Sequence, residues 1–176
     1  MIGRPREGNT FEVAGEFAVV DVSTTTHPQT YTAIDLADLS IINDGGGRWF
    51  AATGRHTVYA VRRNGDKLHR KILGLGADGG FGDHADGNGL DNRRFNLRPA
   101  NFLQNNRNSR KRAGAHKFKG VYLRPETGAF RAGIKLKEKL TWLGQFDDEI
   151  SAARAYDTAA RIHFGEFARL NFPGEQ

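Results

Sequence analysis

Short segments of alternating hydrophobic and polar residues recur along the chain, a pattern typical of β-strands with one buried face. In the first third, residues 17–22 (FAVVDV) predict a strand, and residues 30–43 predict a strand end followed by a short helix. Residues 48–52 and 56–63 predict a hairpin closed by the turn TGR. This region is therefore predicted to be a small β-rich scaffold.

The middle of the chain shows a different order of elements. Residues 67–76 predict one or two helical turns ended by glycine, and residues 80–84 (GFGDH) predict a strand. A long polar turn leads to a second strand at residues 95–98 (FNLR), and residues 99–109 predict a helix that begins at Pro99. The predicted order is strand, loop, strand, helix.

The C-terminal third is the most regular part of the sequence. Residues 118–123, 129–136 and 139–146 predict a three-stranded antiparallel sheet, and residues 147–165 predict a helix with acidic residues in its first turn. The hydrophobic residues of this helix recur at spacings of three or four, so they form one face that would pack on the sheet.

An α+β fold made of two small modules is predicted, because 176 residues fit one ordinary domain or two small ones. The basic stretch between the modules has no hydrophobic periodicity and is interpreted as a linker. The predicted boundaries are a first module at residues 1–110, the linker at 111–117 and a second module at 118–176.

Positive charge is concentrated in the middle of the chain, although the net charge is only +6. Residues 1–60 hold four Lys or Arg against seven Asp or Glu, residues 61–146 hold nineteen against seven, and residues 147–176 hold three against six. The three segments therefore carry −3, +12 and −3. Because the basic residues alternate with aromatic and β-forming ones, they favour a nucleic-acid surface over a merely solvated basic face.

The composition also limits the chemistry. The sequence has no cysteine, which excludes disulfides, thiolate zinc sites and a cysteine nucleophile, so a metal would need oxygen or imidazole ligands. Such ligands favour a hard cation such as Mg²⁺. No apolar run approaches the ~20 residues of a membrane span, and the first residues lack a signal-peptide core. An intracellular, soluble protein with no membrane partner is expected.

An acid lies next to a histidine, Asp83 and His84, at the end of a predicted strand. Phosphodiester cleavage needs a nucleophilic water and positive charge at the phosphoryl oxygens, which one base and one metal can supply. Asn96 lies twelve residues after His84 and Asn105 nine residues later, so a hairpin folded on the next helix would bring Asp83 and Asn105 together. The plainer alternative is a polar turn beside an unrelated pair.

Three segments in this region, LHRKILG, DHADGNGLDNRRFNLR and NFLQNNRN, together resemble HNH endonucleases of the phage and intron-encoded homing type, which have a ββα-metal core. The resemblance implies that His84 is the general base, that Asp83 and Asn105 are metal ligands, and that Asn96 braces the loop. It also implies Mg²⁺ or Mn²⁺, because an amide at the last motif position is a weaker ligand than imidazole for softer metals.

The C-terminal segment from KGVYL to NFP is similar to the APETALA/ethylene-response-factor (AP2/ERF) DNA-binding domain, most specifically in WLGQF, AARAYDTAA and NFP. The resemblance implies a sheet that binds double-stranded DNA, with these contact positions: Lys119, Tyr122, Arg124, Lys135 and Trp142. Alternation along the second strand adds Arg131 to the same face. Gly133 stands where the plant pattern has glutamate, so the plant recognition sequence is not implied.

Further basic residues are predicted to contact DNA phosphates. Arg93 and Arg94 lie in the polar turn. The others precede the second module: Arg107, Arg110, Lys111 and Arg112. For this second group, a soluble tether and a segment that enters a DNA groove are equally good interpretations.

Taken together, these features predict a Mg²⁺-dependent DNA endonuclease, of the homing type and of phage or bacterial origin, that cleaves DNA held by the C-terminal sheet. It is expected to act as a monomer or a homodimer in the cytoplasm, associated with the nucleoid. The alternative is a non-catalytic, sequence-specific DNA-binding regulator in which an HNH fold serves only as a scaffold.

Overall fold

The computed structural model describes residues 8–76, 79–109, 117–137 and 139–175. It is α+β, with antiparallel sheets and few helices, as the sequence predicts. The chain divides into two compact units, Met1–Asn105 and Asn106–Gln176. None of the helices in the described residues combines the length and the apolar character that crossing a membrane requires.

The first unit is mostly strand. Its strands are β1 (Phe11–Ala14), β2 (Phe17–Asp21), β3 (Tyr31–Asp35), β4 (Phe50–Thr53), β5 (Val58–Val61), β6 (Phe81–His84) and β7 (Leu97–Ala100). Its helical elements are a 3₁₀ helix at Leu36–Ile41, α1 (Leu68–Ile72) and a 3₁₀ turn at Arg94–Asn96. Helix α2 (Phe102–Asn108) follows β7.

Strands β1, β2 and β3 form an antiparallel sheet in that order, and β4–β5 and β6–β7 are hairpins. Alternation along β2 places Ala18 and Val20 in the core, where they join Ile34 and Trp49. Trp49 is completely buried. The predicted strand at residues 17–22 thus has one face buried in this core.

The second hairpin and its helix differ from the prediction at one point. Pro99 does not begin the helix; it lies in β7, paired with Gly82, and α2 starts three residues later. Two main-chain N–H groups at the start of the helix are bonded by a reciprocal cap between Asn101 and Gln104. Asn101 Oδ1 accepts from Gln104 N (2.9 Å), and Gln104 Oε1 accepts from Asn101 N (2.8 Å). The order strand, loop, strand, helix is nevertheless present.

The second unit is a three-stranded sheet covered by one helix. Its strands are β8 (Val121–Leu123), β9 (Phe130–Leu136) and β10 (Lys139–Phe146), in the order β10, β9, β8. Helix α3 (Glu149–Phe164) is followed by a 3₁₀ turn at Gly165–Phe167. Small residues such as Ala152 and Ala153 pack on Ala132 of β9, and Tyr156 and Ala160 pack on Ile134. Because these alanines are small, the helix can lie close to the sheet.

A β-bulge in β10 decides which residues face solvent. The register with β9 shifts between Trp142 and Gly144. Leu143 and Phe146 pack in the core, whereas Trp142 and Gln145 lie opposite Gly133 and Arg131 on the other face. The extra residue reverses the alternation, so an odd and an even position of one strand share the exposed face.

Candidate nucleic-acid interface

Cationic and aromatic side chains share the face of the C-terminal sheet that lies opposite α3. In β9, Ala132 and Ile134 are buried under the helix, so Arg131, which precedes this pair, and Lys135, which follows it, project from the other face. Lys135 is exposed and Arg131 is half-buried. The strand therefore presents two cations on one side of the sheet.

The centre of this face is an aromatic and cationic stack. The guanidinium carbon of Arg131 lies 3.9 Å from the centroid of the Trp142 ring. The Tyr122 ring meets Trp142 edge-on, with 5.3 Å between centroids. Tyr122 is 41% exposed and Trp142 is 42% exposed. Large aromatic side chains that remain this exposed are available to a partner, and the stack holds the guanidinium in a fixed direction.

Arg124 extends the same face at its edge. Its Nη1 donates to Gln145 Oε1 at 3.4 Å, and its Nε lies 3.8 Å from a carboxylate oxygen of Glu126. Gln145 is the strand partner of Arg131. The fold therefore brings together five of the residues predicted to contact DNA: Tyr122, Arg124, Arg131, Lys135 and Trp142.

Lys119 has a different environment from those five residues. Its ammonium donates to the carbonyls of Arg107 (2.5 Å) and Ser109 (2.8 Å), at the end of α2. Burial, with a smaller effect from Arg169, lowers the pKa of Lys119 to about 8. The ammonium of Lys119 is therefore directed at main-chain carbonyls of the residues that precede the sheet.

Of the basic residues before the second module, only Arg107 lies in the described part of the chain. Its guanidinium carbon is 4.8 Å from the centroid of the Phe164 ring. Arg110, Lys111 and Arg112 lie outside the described residues, as does the predicted linker except for Lys117.

Asp83 and His84 are both buried at the end of β6. Asp83 Oδ2 accepts from Arg98 Nε (2.9 Å) and Nη2 (2.7 Å), across the β6–β7 pair. His84 Nε2 lies 3.1 Å from Asn92 Oδ1, and burial lowers the pKa of His84. The acid held by arginine and the neutral histidine therefore belong to one buried polar network.

His69 completes this network from α1. Its ring meets the His84 ring edge-on, with 4.7 Å between centroids. The centroid of the Tyr59 ring lies 5.5 Å from that of His69. Burial, with a smaller effect from His84, lowers the pKa of His69 to about 3. Both imidazoles are therefore neutral near pH 7.

Asn92 lies in the polar turn and is not among the site residues predicted from the sequence. Asn92 is completely buried, and its Nδ2 donates to Thr32 Oγ1 at 2.7 Å. It thus links His84 to strand β3 of the first sheet. Its residue type gave no signal, because the same turn contains other Asn and Asp residues that do form turns.

Asn96 holds the polar loop between β6 and β7. Its Oδ1 accepts from Asp86 N at 3.0 Å, and its Nδ2 donates to Asp86 Oδ1 and to the carbonyl of Asp91, each at 2.9 Å. Asn105 is half-buried on α2, where its main-chain N–H donates to the carbonyl of Asn101 at 3.0 Å. No side-chain contact joins Asn105 to Asp83 among those described.

Arg93 and Arg94 both form ion pairs within the first unit. Arg93 donates from Nε (2.8 Å) and Nη2 (2.6 Å) to the carboxylate of Asp91. Arg94 donates from Nε (2.9 Å) and Nη2 (2.6 Å) to the buried carboxylate of Asp38. Contact with a phosphate would have to compete with these bidentate pairs.

The donor atoms in this region do not fit the Mg²⁺ or Mn²⁺ site implied by the sequence. Asp83 is used by Arg98, and within the described residues no group of three His, Asp or Glu side chains could hold a metal ion. Hard cations prefer several oxygen ligands at once. We therefore derive no chemistry from a metal at Asp83 and Asn105.

Comparison with known proteins finds similarity over about a third of the chain. The chain is 47% identical over 58 residues to an AP2/ERF and B3 domain-containing protein of Oryza sativa subsp. japonica (33% of this chain, 16% of that protein). It is 49% identical over 59 residues to ethylene-responsive transcription factor 3 of Nicotiana tabacum (32% and 26%). It is 44% identical over 48 residues to dehydration-responsive element-binding protein 2E of Arabidopsis thaliana (27% and 20%).

These matches have the length of the C-terminal segment that resembles the AP2/ERF domain. The chain spans about a quarter or less of each of these relatives. No family model matches the chain. The AP2/ERF part of the sequence prediction is thus supported, whereas these three relatives do not support an HNH nuclease or a phage or bacterial setting.

The endonuclease prediction is wrong on these findings. The relatives bear the names of AP2/ERF and element-binding proteins, one of them a transcription factor, and none bears the name of a nuclease. In the structure, the residues assigned as base and metal ligand, His84 and Asp83, contact Asn92 and Arg98, respectively. The comparisons therefore show similarity to AP2/ERF DNA-binding domains over part of the chain.

Proposed function

We propose that the chain is a non-catalytic, sequence-specific binder of double-stranded DNA that uses the exposed face of β8, β9 and β10. In this proposal the strand, loop, strand, helix segment at residues 81–108 is a scaffold of HNH type without cleavage activity. The observation that carries the proposal is the Arg131–Trp142–Tyr122 stack, which exposes cationic and aromatic groups on the sheet face away from the helix.

The chemistry of this face suits a DNA groove. A ribbon of two or three strands fits the major groove, where arginine donates to the acceptor edge of guanine. Arg131 and Arg124 are the arginines of this face, and the exposed Lys135 would contact phosphates. The names of two similar proteins, a transcription factor and an element-binding protein, support the same class of partner.

The test begins with selection of duplexes from a random library by the purified chain. We expect an enriched sequence, and we expect a scrambled duplex to compete poorly with it. In a binding titration with the selected duplex, Arg131→Ala should weaken affinity by about tenfold to a hundredfold, as loss of a base contact does.

The matched control is Arg154→Ala, which removes the same charge from the second unit but on α3, where Arg154 pairs with the exposed Glu175. This change should alter affinity less than about twofold, since exposed pairs contribute little. Equal losses from the two variants, or no enriched sequence, would contradict the proposed interface.

Absence of cleavage is tested in parallel. Supercoiled plasmid incubated with the chain and Mg²⁺ is expected to remain uncut, because Asp83 and His84 are held inside the fold. Metal-dependent nicking that disappears in His84→Ala would contradict the non-catalytic part of the proposal while leaving the binding face unaffected.

A further inference from the structure

A groove of about 750 Å³ lies in the first unit, beside the glycine-rich loop at residues 44–47. Its lining includes Arg48, Arg63 and Phe50, together with the hydroxyl-bearing Ser23 and Thr24. Arg48 and Arg63 are exposed, and neither forms an ion pair within the described part of the chain. Two arginines that form no ion pair within the described residues therefore lie on one concave surface.

A third arginine lies beneath the loop. Arg62 is 2% exposed, its guanidinium carbon is 4.1 Å from the centroid of the Trp49 ring, and its Nη2 donates to Asp44 Oδ1 at 2.6 Å. The Nε and Nη1 atoms of Arg62 are buried and have no hydrogen-bond partner among the described residues. A buried cation with unsatisfied donors is costly, so its neighbourhood favours an additional anionic group.

The loop brings this buried charge close to the groove. A Cβ atom on Gly46 would collide with Arg62 Nη1, so only glycine lets the main chain lie directly on the guanidinium. Asp44, the carboxylate at the start of the loop, is shared between Arg62 and Lys71, whose Nζ lies 3.2 Å from Asp44 Oδ2. These cations hold the pKa of Asp44 well below its usual range.

The local charge is therefore positive. The negative charge of Asp44 is balanced by the two cations Arg62 and Lys71. The pKa of the nearby Asp21 is lowered chiefly by hydrogen bonds from Ser23, and Arg48 contributes less. Such a site attracts an anion, and a groove walled by low-dielectric protein strengthens that attraction.

We propose that this groove binds a phosphate group carried on a nucleoside, either a free nucleotide or a unit of a nucleic-acid strand. Arg48 and Arg63 would donate to the phosphate oxygens, Arg62 would supply fixed positive charge below the loop, and Phe50 would contact the base. The site belongs to the first unit and does not depend on the DNA-binding face proposed for the second unit.

The test uses the full chain labelled with ¹⁵N and four probes: adenosine 5′-monophosphate, inorganic phosphate, adenosine and a single-stranded tetranucleotide of deoxyadenosine. We expect the monophosphate to shift the amide signals of Gly46 and Gly47 saturably, inorganic phosphate to shift the same signals more weakly, and adenosine to leave them unchanged. Binding by the tetranucleotide that is tighter than binding by the monophosphate would identify a strand as the source of the phosphate, and the reverse order would identify a free nucleotide.

The variants Arg48→Ala and Arg63→Ala should each weaken monophosphate binding by about tenfold, the loss expected for one charge-assisted contact. Arg55→Ala is the matched control, because Arg55 is an exposed arginine in the turn at the other end of the β4–β5 hairpin. It should change affinity less than about twofold. Amide signals outside the loop verify that each variant is folded.

Two results would overturn the inference. The first is no saturable shift at Gly46 or Gly47 with any phosphate-containing probe. The second is a loss from Arg55→Ala as large as that from Arg63→Ala, which would indicate nonspecific attraction to the basic surface. Because the readout is confined to the loop amides, neither result depends on whether the C-terminal sheet binds duplex DNA.

Discussion

At the scale of single residues, Asp157 shows how one buried carboxylate organises the second unit. It is 2% exposed; its Oδ1 accepts from Asn171 N (2.8 Å) and Nδ2 (3.0 Å), and its Oδ2 accepts from Phe172 N (2.8 Å). Asn171 in turn exchanges hydrogen bonds with the main chain of Lys119, at 2.7 and 3.0 Å. Asp157 thus joins α3, the C-terminal segment and the residues before β8.

Replacing this carboxylate should loosen all three parts. We expect Asp157→Ala to lower the free energy of unfolding of the second unit by about 3 kcal/mol, because several buried N–H donors lose a charged acceptor. Amide hydrogen exchange measures the effect, as faster exchange at Asn171 and Phe172. Asp147→Ala, which removes an exposed carboxylate just before α3, should change stability by less than about 0.5 kcal/mol. Unchanged protection at Asn171 would contradict the assignment.

Residue types alone could not distinguish a site from a structural network around Asp83. The spacing of Asp83, His84 and Asn96 matches a nuclease motif, and the loop contacts of Asn96 follow from its position. The partner of Asp83 is set by strand register, which places Arg98 directly opposite it. Register depends on the whole hairpin, so the ion pair that engages this acid could not be predicted from the motif.

At the scale of elements, the predictions succeeded where one face is buried. Strands β2, β4, β5, β8, β9 and β10 and helix α3 are confirmed. Strand β1 was not predicted; its sequence FEVA is too short to stand out, and all four of its residues are exposed in the structure. The β7–α2 boundary was misplaced because proline suits both the first turn of a helix and an edge strand.

The bulge in β10 is the element on which the proposed interface depends. Without it, Trp142 and Phe146 would lie on the same face, since they are four residues apart in a strand. The bulge instead places Phe146 in the core and Trp142 on the exposed face. Gly144 has a φ of 149°, a backbone angle that residues other than glycine rarely adopt.

We therefore expect Gly144→Ala to destabilise the second unit by about 1–3 kcal/mol, because alanine is strained at this φ. Duplex binding should weaken as well, since Trp142 and Gln145 flank the bulge. Urea unfolding followed through the indole N–H signal of Trp142 measures stability. Gly174→Ala is the control, because an added Cβ there meets nothing within 4 Å. Wild-type stability of Gly144→Ala would show that the bulge does not require glycine.

At the scale of the whole molecule, the two units differ in how their interiors respond to acid. The first unit buries His69 and His84, which are 5% and 4% exposed. Among the described residues of the second unit, the histidine is His163, and it is exposed in the last turn of α3. Protonation of these buried imidazoles should therefore lower the stability of the first unit.

The direction of this effect follows from the lowered pKa values. Burial lowers the pKa of His69 to about 3 and lowers that of His84, whereas both return to about 6.5 on unfolding. Above about pH 6.5 neither state is protonated and the contribution to stability is complete. As the pH falls below that value, the unfolded state binds protons that the folded state does not, so stability falls by about 1.4 kcal/mol per pH unit through His69, and His84 adds to the fall in the same direction.

Urea unfolding of a Trp142→Phe variant at several pH values between about 7.5 and 5 tests this prediction, because the fluorescence then comes from Trp49 in the first core. The slope of stability against pH should become shallower in His69→Phe, which keeps an aromatic ring beside Tyr59 and His84 while removing one titrating group. His163→Gln should leave the slope unchanged. A slope that is the same with and without His69 would mean that its imidazole is not held neutral by the fold, and the acid sensitivity of the first unit would then have to arise from other groups, of which His84 is the first to replace.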